Sequence, residues 1–133
     1  MAPLLKKLLA DYAAAGVPVT FVTAWHMLVA RVHLQPGEDI LVLGAGSGVG
    51  SAAIQIAKLL GARVIATAGS EAKCARAREL GADLVVDSRH EDPVARVIAA
   101  TDGVGAAVSF DTVGTAETLV ASLRMIRGGG TAV

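Results

Sequence analysis

The sequence predicts an α/β protein built on a doubly wound parallel sheet, and three observations lead to that prediction. Short runs of branched apolar residues alternate with segments in which apolar residues recur every three or four positions. Glycine, proline and aspartate separate these segments as turn formers. Hydrophobic residues make up 53% of the chain and aromatic residues 3%, which is typical of buried parallel strands covered by alanine-rich helices. We therefore expect right-handed crossovers and three α/β/α layers.

The composition of the chain limits which binding partners and which cellular compartment are expected. A chain of 133 residues suffices for one domain with a sizeable core. Its 12 basic and 12 acidic side chains cancel, so neither nucleic acid nor an anionic membrane is an expected partner. The single Cys74 cannot form an internal disulfide and is predicted to be an ordinary small packing residue. No apolar run reaches membrane-spanning length, and we expect a cytoplasmic protein.

Two helices are predicted before the first strand. Residues 1–16 carry leucines at helical spacing and should form an amphipathic helix that packs on the core, with partner binding as the alternative. Thr20 to Leu34 repeats this spacing. Gln35 to Glu38 contains Pro36-Gly37 and should turn the chain into the first strand.

The central unit is Ile40 to Gly61, ILVLGAGSGVGSAAIQIAKLLG, which is read as a strand, a glycine turn and a helix. Glycines let a backbone approach a diphosphate closely, and a helix N-terminus offers free N–H groups to it. The fingerprint G-x-G-x-x-G is not met literally, because Val49 stands three residues after Gly46. No lysine follows the turn as a P-loop requires, so a dinucleotide is predicted. The alternative is a turn that only packs a helix close to a strand.

Three further strand and helix units should follow, with turns or caps at Ser70, Gly81 and Asp92-Pro93. Strands are predicted at 63–67, 83–86 and 106–110, with helices after Ser70, through Ala100, and at 115–126. A fifth strand should begin at Thr131, after Gly128 to Gly130. The sheet is therefore expected to be truncated in or after the fifth strand.

From about Val17 to its end the chain resembles the cofactor-binding domain of medium-chain dehydrogenases and reductases, in the quinone oxidoreductase and zinc-type alcohol dehydrogenase branch. The resemblance rests on PVTFVTAWHML, on LQPGEDILVLGAGSGVGSAAIQIAKLLGARVIATAGSEAK, on ELGADLVVDSR, and on FDTVG followed by RGGGTAV. It implies an incomplete Rossmann domain over 17–133, with the catalytic domain and any zinc ligands absent from this chain. The implied reaction is hydride transfer between nicotinamide and a carbonyl, alcohol, quinone or enone.

The resemblance also implies roles for individual residues. Backbone at Ser47, Gly48, Val49 and Gly50 would hold the pyrophosphate, with Gly46 permitting close approach. Ser47 departs from the glycine that the family usually has there. Further implied cofactor contacts are Thr23, beside the nicotinamide, and Val113 in FDTVG.

The end of the second predicted strand favours NADP(H) over NAD(H). An NAD site usually has Asp or Glu there to accept hydrogen bonds from the ribose 2′-OH, but this chain has Ala68. Ser70 and Lys73 follow and can donate to a 2′-phosphate, with Arg89 as a further candidate. Glu71 opposes this interpretation, and Ser70 as a helix cap with Lys73 in solvent is an equal alternative.

Two other functions compete with the oxidoreductase. A methyltransferase is disfavoured because no acidic residue ends the second strand to hold ribose hydroxyls. A non-enzymatic structural or self-association module remains the alternative. Its partner would be a second copy, bound through the open sheet edge or the first helix.

Overall fold

The computed structural model describes residues 19–133, so the predicted helix over 1–16 lies outside the described residues. The first described helix is α1, Val19–Trp25, which continues as a π-helical segment, His26–Arg31. The strands are β1 Asp39–Leu43, β2 Arg63–Ala68, β3 Leu84–Asp87, β4 Ala106–Asp111 and β5 Ile126–Ala132. The remaining helices are α2 Gly48–Leu59, α3 Glu71–Glu79, α4 Pro93–Ala100 and α5 Ala116–Met125.

The sheet has the strand order β3-β2-β1-β4-β5, and every pair of neighbours is parallel. β1 lies in the centre, and the chain winds outward from it first through β2 and β3 and then through β4 and β5. This order confirms the doubly wound α/β prediction. It also creates a crevice at the carboxyl ends of β1 and β4, where the winding reverses direction and where ligands bind in such sheets.

Alternate residues of β1 face two separate cores. Ile40 and Val42 are fully buried with residues of α1, α2 and α3 on one face. Leu41 and Leu43 pack on the other face against α4 and α5. Side chains alternate across a strand, so a central strand with helices on both faces needs apolar residues at every position. The predicted three-layer arrangement is confirmed.

The fifth strand begins five residues earlier than predicted, at Ile126 instead of Thr131, and α5 ends at Met125. Ile126 pairs with Ala106, and the register shifts before Thr131 pairs with Val108. Gly128 to Gly130 therefore belong to an irregular strand and not to a loop. A Cβ on Gly130 would lie 2.9 Å from the Ala107 carbonyl oxygen, so glycine permits this close approach of backbones.

The other strands agree with their predicted bounds to within one residue at each end. The predicted helix over 20–34 is helical only to Arg31, with α-helical geometry up to Trp25 and π-helical geometry beyond. Among residues 19–133, no helix has the length and apolar character that crossing a membrane would require.

Candidate functional site

The turn between β1 and α2 lies at the carboxyl end of the central strand. Gly44 adopts a φ of 75°, in the left-handed region that favours glycine. The Ser47 N–H then donates to the Gly44 carbonyl oxygen at 3.0 Å, and the Ala45 N–H donates to the Thr67 carbonyl oxygen of β2, also at 3.0 Å. These bonds fix the turn against the sheet at the crevice.

Ser47 caps α2. Its Oγ accepts a hydrogen bond from the Gly50 N–H at 2.9 Å. The N–H groups of Gly48 and Val49 lie in the first turn of the helix, where no intrahelical acceptor is available to them. These two donors, at the positive end of the helix dipole, are the ones that α2 can offer to an anion.

Two glycines allow the turn to pack tightly. A Cβ on Gly50 would overlap the Gly44 carbonyl oxygen, and a Cβ on Gly44 would overlap Oγ1 of Thr112. Gly50 is buried and lines neither cavity described below. Its N–H is occupied by Ser47, so the structure gives Gly50 a packing position, and direct contact with a diphosphate stays a prediction.

A cavity of about 520 Å³ lies on one side of the turn, at the carboxyl ends of β1, β2 and β4. It collects five of the predicted cofactor residues. They are Gly46, Ser47, Ala68, Lys73 and Val113. Ser88 and Thr112 also line this cavity, as does Glu117 of α5. Because it runs along the sheet edge past the ends of three strands, it suits an extended ligand more than a compact one.

A second cavity of about 350 Å³ lies on the other side of the turn, between α1 and the end of β4. It collects Thr23, Ser47, Gly48 and Val49 from the predicted set. Asp111 and Thr112 line it from β4 and the following loop. The two cavities thus share the glycine turn as a common wall. Three members of the predicted set line neither of them, namely Gly50, Ser70 and Arg89.

Thr112 is a site residue that the sequence analysis missed. Its Oγ1 donates towards the Leu43 and Gly44 carbonyl oxygens, at 2.8 and 3.1 Å, and accepts from Ser47 Oγ at 3.0 Å. The available signal was its position in FDTVG, in the turn that follows a predicted strand. Polar residues at such a position lie at the ligand-binding edge of a parallel sheet.

Lys73 extends over the turn from α3. A Cβ on Gly46 would overlap the aliphatic stem of Lys73, so this stem lies across Gly46. Lys73 is exposed, and no carboxylate among residues 19–133 lies within ion-pair distance of its ammonium. Ser70 caps α3 by accepting from the Lys73 N–H at 3.2 Å and does not line the cavity.

The ends of β2 and β3 differ in charge. Ala68 ends β2 and is 4% exposed, and its carbonyl oxygen accepts from Ser88 Oγ at 3.1 Å. Asp87 ends β3 opposite Ala68. Its carboxylate is held by Arg89, with Nη2 to Oδ2 at 2.9 Å and Nε to Oδ1 at 3.2 Å. Hydrogen bonds from the Arg89 side chain and backbone lower the pKa of Asp87 to about 2. Arg89 is therefore engaged by Asp87 and lines neither cavity.

Residues 19–133 include Cys74 and other side chains that can bind metals. Cys74 is 2% exposed, and burial raises the pKa of its thiol, as expected for a packing residue. Within the part of the chain that the structure describes, no group of three His, Cys, Asp or Glu side chains is arranged to hold a metal ion. The absence of zinc stays a prediction.

The chain is similar to several known proteins. The family model of zinc-binding dehydrogenases matches residues 48–133. A phenolphthiocerol/phthiocerol polyketide synthase from Mycobacterium tuberculosis is 40% identical over 122 residues. That match covers 92% of this chain and 6% of the polyketide synthase.

Solved structures of other proteins have the same fold. A structure of an NAD-dependent alcohol dehydrogenase is 50% identical with a TM-score of 0.82, covering 90% of this chain and 34% of that one. An Escherichia coli quinone oxidoreductase complexed with NADPH is 34% identical with a TM-score of 0.79, covering 85% and 34%. This chain thus spans about a third of each of these structures.

Proposed function

The chain belongs to the zinc-binding dehydrogenase family, within the medium-chain dehydrogenases and reductases, and we propose that it is the NADP(H)-binding part of a hydride-transferring oxidoreductase. The substrate class would be a carbonyl, alcohol, quinone or enone. The observation that carries the choice of NADP(H) is Lys73, a cation without a carboxylate partner in residues 19–133, on the wall of the larger cavity. The chain spans about 34% of the solved relatives, so the reaction itself is a proposal about a larger unit.

Several features of the two cavities and of the turn between them support a dinucleotide as ligand. Glycines at 44 and 50 leave no room for a Cβ and let the turn pack closely against α2 and the loop after β4. The N–H groups of Gly48 and Val49 can donate to a diphosphate. Thr23, which the resemblance places beside the nicotinamide, lines the smaller cavity. A bound cofactor supplies or accepts the hydride, and the protein's part is to bind, orient and exclude water.

The charge pattern supports a 2′-phosphate over a free 2′-OH. A carboxylate at the end of β2 would accept from a 2′-OH and repel a phosphate, and the residue there is the buried Ala68. Lys73 lines the larger cavity and can donate to a phosphate. Ser88 lines it too, but its hydroxyl would have to leave the Ala68 carbonyl oxygen to do so. Arg89 would have to leave Asp87 to contribute, so Lys73 is the principal contact in this proposal.

The test is a titration of the purified chain with NADPH and with NADH, followed by heat or fluorescence. NADPH should bind more tightly than NADH. Lys73→Ala removes one charge-assisted interaction worth about 1.5–3 kcal/mol. We therefore expect it to weaken NADPH binding roughly 10- to 150-fold and to leave NADH binding nearly unchanged. Arg78→Ala is the matched control, because Arg78 lies on the same helix and lines neither cavity.

Two results would contradict this proposal. The first is equal or tighter binding of NADH, which would favour the NAD-dependent alternative that the 50% identical alcohol dehydrogenase represents. The second is a Lys73→Ala variant that loses affinity for NADPH and NADH by the same factor. Lys73 would then contact a group that both nucleotides share, and not a 2′-phosphate.

Self-association is the second candidate function, and the surface of α5 favours it. Leu119, Val120 and Leu123 are 53–57% exposed on this helix, next to β5 at the edge of the sheet. A second copy could cover this apolar surface and the strand edge together. Light scattering across concentrations tests it: a dimer that Leu119→Lys dissociates supports the candidate, and a monomer at all working concentrations contradicts it.

A further inference from the structure

The loop after β4 holds a side chain to which neither the sequence analysis nor the family resemblance gave a role. We propose that Thr112 is a positioning residue for the diphosphate site: its hydrogen bond with Ser47 holds the Ser47 hydroxyl in the orientation that a diphosphate requires. The inference rests on the proposed function, because it assumes that a dinucleotide occupies the two cavities.

The first observation is the place of this hydroxyl pair between the cavities. Ser47 and Thr112 are the residues that line both the larger and the smaller cavity. The predicted 2′-phosphate contact Lys73 lines one cavity, and the predicted nicotinamide contact Thr23 lines the other. A dinucleotide that reaches both residues must pass the Ser47–Thr112 pair with its diphosphate, the group that joins its two halves.

The second observation is the direction of the hydrogen bonds. The single hydrogen of the Thr112 hydroxyl points towards the Leu43 and Gly44 carbonyl oxygens, at 2.8 and 3.1 Å. Thr112 Oγ1 therefore accepts from Ser47 Oγ, at 3.0 Å. Ser47 Oγ accepts in turn from the Gly50 N–H at 2.9 Å. One chain of hydrogen bonds thus connects the end of β1, the loop after β4 and the first turn of α2.

The third observation is that the space beside Thr112 suits its side chain closely. Gly44 has no Cβ, and the position that a Cβ would take is filled by Thr112 Oγ1 and a methyl group of Val113. The Leu43 and Gly44 carbonyl oxygens each have a second donor, the N–H of Thr112 at 3.2 Å and that of Ser47 at 3.0 Å. Loss of the Thr112 hydroxyl should therefore leave the backbone of the turn bonded while removing one of the two hydrogen bonds that hold the Ser47 side chain.

These bonds give Ser47 a double use. Its hydroxyl hydrogen is donated to Thr112 and can rotate towards a phosphate oxygen, while the lone pair that caps α2 stays bonded to Gly50. Thr112 keeps the Ser47 side chain in the one rotamer that serves both partners. Without it, only the Gly50 N–H holds the Ser47 hydroxyl, which is then less restricted in its orientation beside the Gly48 and Val49 donors.

The test compares Thr112→Val, which keeps the shape of the side chain, with Thr112→Ser, which keeps the hydroxyl. Each variant of the chain is titrated with NADPH, with NADH and with adenosine 2′-monophosphate, which has a 2′-phosphate but no diphosphate. We expect Thr112→Val to weaken NADPH and NADH by the same factor, roughly 5- to 10-fold. Binding of adenosine 2′-monophosphate should be unchanged, and Thr112→Ser should bind like the parent chain.

Ser47→Gly provides a second route to the same loss, because glycine is a tolerated helix cap. It should weaken the two dinucleotides as Thr112→Val does, and the double variant should be little worse than either single variant. Parent-like dinucleotide affinity in Thr112→Val overturns the inference, and so does an equal loss for adenosine 2′-monophosphate. An error in the choice of NADP(H) has a separate signature. The parent chain would then bind NADH at least as tightly as it binds NADPH. A parent chain that binds no nucleotide overturns both.

Discussion

Replacing Gly50 with alanine should strain the junction between the glycine turn and α2. The added Cβ would overlap the Gly44 carbonyl oxygen and would lie 3.0 Å from Ser47 Oγ and 3.1 Å from Ala45 Cα. Two of these three neighbours are backbone atoms of the turn, which is itself hydrogen-bonded to β2 through the Ala45 N–H. The clash can be relieved only if the turn moves away from the helix.

Two opposing effects set the size of the loss. Alanine within a helix is favoured over glycine by about 1 kcal/mol. Overpacking that shifts backbone costs about 1–3 kcal/mol, and occasionally more. Because the contact is with backbone and not with the far end of a flexible side chain, we place the cost at the upper end. The expected net change is a free energy of unfolding lower by about 1–2 kcal/mol, or a Tm lower by about 4–8 °C.

Urea unfolding followed by circular dichroism measures this change, with the transition slope checked for constancy. Gly128→Ala is the matched control, because a Cβ there meets no atom within 4 Å, and its effect should stay within about 0.5 kcal/mol. A Gly50→Ala variant as stable as Gly128→Ala would refute the reasoning. It would mean that the turn yields freely and that Gly50 has no packing role.

Two further predictions concern charge and core. Asp87 has a folded-state pKa of about 2 against an ordinary 3.8, so its ionised form stabilises the fold above pH 3.8 and this contribution disappears as the pH falls towards 2. The Tm of Asp87→Asn should accordingly depend less on pH between about 4 and 2 than the Tm of the parent chain. Identical plots of Tm against pH for the two proteins would exclude the Asp87–Arg89 pair as a source of stability. Leu41→Ala should lower the free energy of unfolding by about 2–5 kcal/mol, because Leu41 is fully buried in the central strand. Leu59→Ala is its control, since Leu59 is 70% exposed. Similar losses of stability in the two variants would contradict the assigned core.

Much of the fold could be predicted because its signals are local. Apolar runs and turn residues predicted four of the five strands to within one residue at each end, and Ser70 and Asp92 were correctly identified as caps. The position of the glycine turn also followed from local pattern, since a strand, four glycines and a helix are adjacent in the chain. The family resemblance then supplied the proposed class of reaction, which pattern alone does not specify.

The start of β5 could not be predicted in this way. Ile126 belongs to the strand because it pairs with Ala106, on a strand 20 residues earlier in the chain. Glycines 128 to 130 are typical of a loop by local pattern, and they lie in a strand because Gly130 can approach the Ala107 backbone closely. Pairing between distant segments overrode the local preference here.

The sequence by itself determined the order of strands and helices along the chain, the glycine turn, and the absence of an acidic residue at the end of β2. Each of these depends on neighbouring residues alone. Tertiary structure decided which side chains share the site. Thr112 meets Ser47 across 65 positions of chain, Lys73 of α3 lies over Gly46, and Arg89 turns to Asp87 instead of the cavity. These contacts arise where the ends of separate parallel strands meet. Which strands are neighbours in the sheet is decided by the packing of the whole sheet.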